Sequence, residues 1–139
     1  MDFTIRAAMP EDCKDISRMI MELATHEKIP DQVKITQRDL EQDGFSRNPF
    51  FQCIIAEVPE QHRTKEGKGI GKALMSKVAQ LGLAAGCNQL SFTVLNWNKP
   101  SMDFYLSQGC WDITSDSGYH CMRCEGAALE SLAEGNPKK

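Results

Sequence analysis

Gly67, Gly69 and Gly71 alternate with Lys68 and Ile70 and run into Lys72, and this is the stretch best suited to chemistry. Residues without a Cβ let successive backbone N–H groups converge on one concave space. A helical stretch over residues 72–85 follows at once. A helix starting there aims its unpaired N–H groups and its positive dipole end at the same space. Such a seat holds phosphate or another anion, and Lys68 and Lys72 carry the right charge. A plain glycine linker before an ordinary amphipathic helix accounts for this stretch about as well. The Walker A pattern fails, because three residues separate Gly67 from Gly71 and Ala73 stands where Ser or Thr would hold magnesium. The dinucleotide fingerprint fails on spacing and on the lack of a strand immediately before it.

Other candidates carry less on their own. Phe104 and Tyr105 end a short helical stretch, where an aromatic is ordinarily core. Asn98 has the side chain and position of a helix N-cap. Glu27 reads as a solvated loop charge, and His26 as a surface residue. His120-Cys121-Met122-Arg123-Cys124 invites a zinc reading, but no second Cys or His pair completes a site. No metal is expected. The six cysteines are scattered among apolar neighbours, as reduced core thiols are.

The chain has 139 residues, enough for one domain around one core. Hydrophobic residues at 41% and charged residues at 25% are ordinary globular values. No apolar run reaches the roughly 20 residues of a membrane span. The N-terminal residues show no signal-peptide pattern, so a cytoplasmic protein without a membrane role is expected. A net charge of −3 argues mildly against nucleic acid and suits a cationic substrate.

The elements that must position these residues follow from periodicity. Phe3, Ile5 and Ala7 alternate as a half-buried strand. Pro10 opens a helix whose Ile16, Met19, Ile20 and Leu23 form a buried stripe. Thr36 caps a second short helix, with Asp39 in its first turn and Gly44 as its stop. Residues 51–58 give the clearest strand, and Pro59 then opens a wholly polar loop. In the helix after the glycine turn Ile70, Leu74, Val78 and Leu81 face inward, and Gly86 ends it. Residues 89–95 predict a strand with Leu90, Phe92 and Val94 on one face. A short helix reaching Leu106 stops at Gly109. Residues 110–114 and 119–125 read as a hairpin around Asp116-Ser117-Gly118. A helix over 127–133 leads into a disordered tail, 134–139. The order is that of an α/β or α+β domain over residues 1–133, short of strands in its middle.

Several stretches together resemble the GNAT acetyltransferases, and within them the diamine (spermidine/spermine) N1-acetyltransferases. They are the opening strand and helix, Asp43-Gly44-Phe45 with Asn48-Pro49-Phe50-Phe51, Val58-Pro59, the glycine turn, and Val94-Leu95-Asn96-Trp97-Asn98-Lys99-Pro100-Ser101-Met102-Asp103-Phe104-Tyr105. The resemblance implies a GNAT-like fold with a mixed central sheet, a homodimer, and acetyl-CoA as co-substrate. The coenzyme's pyrophosphate would rest on Gly67, Lys68, Gly69, Ile70, Gly71 and Lys72. Asn98, Lys99, Pro100 and Ser101 would also touch the coenzyme. Tyr105 would protonate the leaving thiolate as a neutral amine attacks the thioester. His26, Glu27, Ser91, Phe92, Thr93 and Ser117 would face the polyamine, Glu27 pairing with an ammonium.

Three departures stand against it. Glu66 opens the glycine motif where the family has arginine or glutamine, and a carboxylate repels a pyrophosphate. Ser117 replaces a family acid, though Asp116 is adjacent. Between Val58 and the glycine turn the family carries two central strands, on the order of thirty residues with their turn. One of them offers an oxyanion-stabilising N–H; here only the polar loop remains. The resemblance therefore implies activity reduced or lost. The alternative is a non-catalytic variant that pairs with full-length subunits or binds coenzyme A only. A third reading, a nucleotide-binding module of another kind, rests on the glycine turn alone.

Overall fold

The computed structural model describes residues 3–62 and 69–135. Its first element is a two-stranded antiparallel sheet. Strand β1 (Thr4–Ala7) pairs with β2 (Ile54–Glu57), Thr4 opposite Glu57 and Ala7 opposite Ile54. Arg6 ties this sheet to the turn that follows β1. Its Nη1 and Nη2 donate to the two carboxylate oxygens of Asp12 at 2.7 and 2.9 Å, and its Nε donates to Glu57 at 3.0 Å. Asp12 also accepts from the Met9 amide at 2.7 Å. The Arg6 guanidinium, and then the Met9 amide, hold the Asp12 carboxyl down at about 2. A bidentate, charge-assisted fork of this kind fixes orientation as well as energy.

Helix α1 (Cys13–His26) follows a single 3-10 turn at Pro10–Asp12, where proline at the first position costs no hydrogen bond. Its buried line differs from the one that the sequence predicts. Cys13 and Ala24 are buried and Ile16, Ser17 and Ile20 half-buried, whereas Met19 and Leu23 stay 44% and 58% exposed. Among the described residues α1 packs chiefly on Gln37–Phe45 and on the short turns at its two ends, so the outer residues of the expected stripe stay exposed. Burial pushes the Cys13 thiol up, and nearby carboxylates, Glu41 first, add to it.

Helix α2 (Gln37–Phe45) packs on α1 and buries Leu40. Its start is a reciprocal capping box. Thr36 Oγ1 accepts from the Asp39 amide at 3.1 Å, and Asp39 accepts from the Thr36 amide at 2.9 Å. The Thr36 amide first, and then the Thr36 hydroxyl, hold the Asp39 carboxyl below its ordinary value. The expected stop at Gly44 is corrected: the helix continues to Phe45. Glycine is needed there for packing, because a Cβ would collide with the Phe51 ring. Helix α3 (Ile70–Ala84) rests on β2, and Gly86 in the left-handed region ends it as expected. Ile70 and Leu74 of its predicted inward stripe are half-buried, while Val78 and Leu81 are exposed.

The predicted strand over 89–95 is not formed; those residues join no sheet. The predicted hairpin over 110–125 is also absent. Residues 113–117 form a short helix α5 (Ile113–Ser117) instead. Asp112 decides this locally: its Oδ1 accepts from the Thr114 and Ser115 amides at 3.0 and 3.4 Å, and Ser115 Oγ donates to Oδ2 at 2.9 Å. Such side-chain bonds compete directly with a strand ladder. Helices α4 (Lys99–Ser107) and α6 (Ala127–Ala133) stand where the sequence puts them.

The chain divides into two units, Met1–Leu90 and Ser91–Lys139. The first holds the sheet and α1 to α3. The second holds α4 to α6. Residues 136–139 of the expected tail lie outside the described residues. Among the described residues no helix is long and apolar enough to cross a membrane.

Candidate active site

In the first unit the site begins at the entry to α3. Gly69 is the N-cap residue, with φ of 82°, a conformation that glycine adopts without cost. Its carbonyl accepts the first helical bond, from the Ala73 amide at 3.0 Å. The amides of Ile70, Gly71 and Lys72 precede that bond and have no intrahelical acceptor. Beyond the adjoining residues and the helix's own backbone, no described heavy atom lies within 4 Å of where a Cβ on Gly69 or Gly71 would stand. The first turn carries no acidic residue, and Lys72 is exposed beside it. An anion can therefore approach three amides and a positive helix end without meeting side chain or negative charge from α3. That is the environment a pyrophosphate requires. Gly67, Lys68 and the discordant Glu66 lie outside the described residues.

The same unit places His26 as the exposed last residue of α1 and Glu27 as its C-cap. The Glu27 amide donates to Leu23 O at 2.9 Å. Lys28 then turns with φ of 64°, and the Ile29 amide donates back to Ala24 O at 2.8 Å. This closure is the usual helix-ending motif, built here without glycine. It gives Glu27 a fixed backbone, so its carboxylate starts from a defined point.

In the second unit, taken by itself, the candidate residues are built on α4. Asn98 Oδ1 accepts from the Ser101 amide at 3.3 Å, so the capping role is real. Pro100 lies in the first turn, and Lys99 Nζ donates to Asp103 at 3.0 Å on the solvent side. Asn98, Lys99, Pro100 and Ser101 thus form one helix start. Tyr105 lies one to two turns on, half-buried. Its ring centroid is 4.6 Å from that of Phe92, the planes inclined at 61°, and 5.6 Å from that of Phe104. Edge-to-face pairs of this kind contribute about 1 kcal/mol each beyond area burial. The structure therefore brings Phe92 and Tyr105 together. Ser91 and Thr93 flank Phe92 and are exposed. Ser117 ends α5 before Gly118, whose φ is 72°. From sequence Phe104 reads as a core aromatic alone; its adjacency to Tyr105 is the signal that could have found the ring contact.

The fold and these residues define a class. A model of the Acetyltransferase (GNAT) family matches residues 62–110, which contain the entry to α3 and all of α4. The chain is 37% identical over 163 aligned positions to a thialysine N-epsilon-acetyltransferase of Bos taurus, covering 93% of this chain and 96% of that protein. It is 31% identical to a Homo sapiens spermidine/spermine N(1)-acetyltransferase-like protein 1, covering 94% of this chain and 24% of that larger protein. A solved integron cassette protein from the mobile metagenome of V. cholerae shares the fold, with a TM-score of 0.69 at 21% identity, covering 96% of this chain and 99% of that one. The chain belongs to the GNAT acetyltransferase family. Its 139 residues are fewer than the 163 aligned positions, so the bovine relative carries an internal stretch with no counterpart here.

Proposed function

We propose that the chain is an acetyl-CoA-dependent N-acetyltransferase acting on primary aliphatic amines, with the polyamines spermidine and spermine as substrates. The observation that carries this reading is the uncapped entry to α3, read together with a relative matched over nearly its whole length. The amides of Ile70, Gly71 and Lys72 bind the pyrophosphate of the co-substrate, and Gly67, Lys68 and Gly69 are further coenzyme-binding residues in this reading. Asn98 to Ser101 contact the coenzyme further along. The neutral amine attacks the thioester carbonyl; a C–N bond forms, and the C–S bond then breaks. The leaving thiolate takes a proton from the Tyr105 hydroxyl, the nitrogen of the adduct gives one up to solvent, and solvent returns a proton to the phenolate. Glu27 pairs with an ammonium of the polyamine, and His26, Ser91, Phe92, Thr93 and Ser117 are its further substrate-contacting residues in this reading. The working protein is a cytoplasmic homodimer.

The test is a thiol-release assay with spermidine, spermine and thialysine side by side. Turnover on a polyamine supports the reading. Turnover on thialysine alone keeps the chemistry and replaces the substrate. A second reading has its own observation: the aligned length exceeds the chain, and among the described residues the sheet has two strands. In it the chain is non-catalytic and either pairs with a full-length subunit or binds coenzyme A only. Absent turnover, with coenzyme A binding in calorimetry or co-purification with a full-length relative, selects it.

A further inference from the structure

We propose that Phe92 is a positioning residue for Tyr105 and not chiefly a wall of the amine subsite. The inference rests on the amine-acetylation reading above and refines the part it gives to residues 91–93.

Two aromatic rings meet the Tyr105 ring, and they differ in origin. Phe104 precedes Tyr105 on α4 and moves wherever that helix moves. Phe92 comes from the irregular segment before α4, so its contact at 4.6 Å ties the phenol to a point outside its own helix. The segment between them is itself pinned. The Asn98 amide donates to Leu95 O at 3.0 Å, the Asn98 side chain caps α4, and the Met102 amide donates to Asn98 O at 3.0 Å. Phe92, the turn, the cap and Tyr105 thus form one short chain of fixed contacts. A tyrosine on a helix surface otherwise moves between χ1 wells, and its hydroxyl sweeps several ångströms. A phenol that must protonate a leaving sulfur needs one position within hydrogen-bond reach. A ring on its flank, inclined at 61°, selects one well. The polar contacts to the amine then fall to Ser91 and Thr93, whose hydroxyl oxygens can accept from an ammonium.

The test uses the full chain with 13C-labelled tyrosine, in wild type, Phe92→Leu and Phe92→Tyr. The sequence has two tyrosines, Tyr105 and Tyr119, and Tyr105→Phe assigns the signals. The expected result is that Phe92→Leu moves the Tyr105 ring resonances toward those of a freely rotating tyrosine and leaves Tyr119 unmoved. In the thiol-release assay Phe92→Leu lowers kcat about tenfold, a misplacement effect, with KM for amine and acetyl-CoA held within about twofold. Phe92→Tyr restores kcat. Unmoved Tyr105 resonances in Phe92→Leu overturn the proposal. So does a raised amine KM at unchanged kcat, which would make Phe92 a cation-binding ring of the substrate path. A wild-type chain without turnover refutes the amine-acetylation reading and leaves the ring contact to be decided by the resonances.

Discussion

The two units solve the same problem by different means. In Met1–Leu90 the strands pair, Arg6 grips Asp12 and Glu57, and the buried apolar residues Cys13, Ala24 and Leu40 all lie there. In Ser91–Lys139 no described residue is buried, and Asn98 and Asp112 hold the starts of their own helices. Every hydrogen bond named above for the second unit is local in sequence. A helix satisfies its backbone within itself and needs only a cap. A strand satisfies nothing without a neighbour. Where the neighbour is missing, as at residues 89–95, the strand pattern persists in sequence and the strand does not form. Capped helices thus form in both units, whereas a strand forms only where a partner strand is present, as β1 and β2 show.

The largest effect that would test this contrast is on the first unit's core. Leu40→Ala should cost about 3 kcal/mol, since a buried leucine leaves both transfer and cavity terms unmet. That is a large share of the total for a small domain. Hydrogen exchange should lose protection across β1, β2, α1 and α2, with α4 unchanged. Equal loss in α4 would mean that the two units melt as one, and the contrast would fail. Next in size is Tyr105→Phe in the second unit. If Tyr105 is the general acid of the proposed reaction, kcat should fall about a hundredfold, equivalent to about 2.7 kcal/mol of barrier, with KM for acetyl-CoA little changed. Circular dichroism should stay as in wild type, since the phenyl ring keeps the contacts with Phe92 and Phe104.

What the sequence made legible follows the same divide. The Thr36 and Asp39 capping box, the Asn98 cap and the helix over 127–133 are all written in a few adjacent residues, and all stand as read. The two strands that formed were legible as alternating or β-branched runs, though each end of 51–58 was overextended. Residues 89–95 carry the same kind of pattern and failed, because periodicity reports a preference and not the presence of a partner. The hairpin over 110–125 failed for a different reason. Asp112, Thr114 and Ser115 form an N-cap pattern that was read as strand and turn. Gly44 was read as a stop because its real constraint, the Phe51 ring, is set by packing. Of the candidate site, the α3 entry and the start of α4 were legible from residue types. The Phe92 contact was not, since it joins residues whose side chains no spacing rule brings together.

Acid should separate the units more gently. The Asp12 carboxyl is held at about 2 in the folded chain, against an ordinary value of 3.8. A depressed carboxylate contributes stability that is complete above the unfolded value and is lost as pH falls through the folded one. Thermal stability of the β1–β2 unit should therefore decline between about pH 4 and pH 2 through this group. Asp12→Asn should flatten that decline and lower stability at neutral pH, where the Arg6 fork is intact in wild type. An unchanged acid profile in the variant would show that the fork is not what carries the dependence.

The smallest effect tests whether the second unit's helices stand on their caps alone. Asn98→Ala removes the acceptor for the Ser101 amide and should cost α4 about 1 kcal/mol. In a unit with a filled core, packing would hold the helix and the loss would barely register in helicity. Here α4 has no buried residue, so fraying should reach its first turn and appear in the Cα chemical shifts of residues 99–103. Lys99 and Asp103 bridge that turn at 3.0 Å, but an exposed i,i+4 pair contributes only about 0.3–0.5 kcal/mol and cannot replace the cap. Fraying of that turn also loosens the anchor between Leu95 and Met102, so kcat should fall with helicity. Helicity retained at wild-type level in Asn98→Ala would mean that contacts beyond the cap hold α4, and the second unit would then resemble the first.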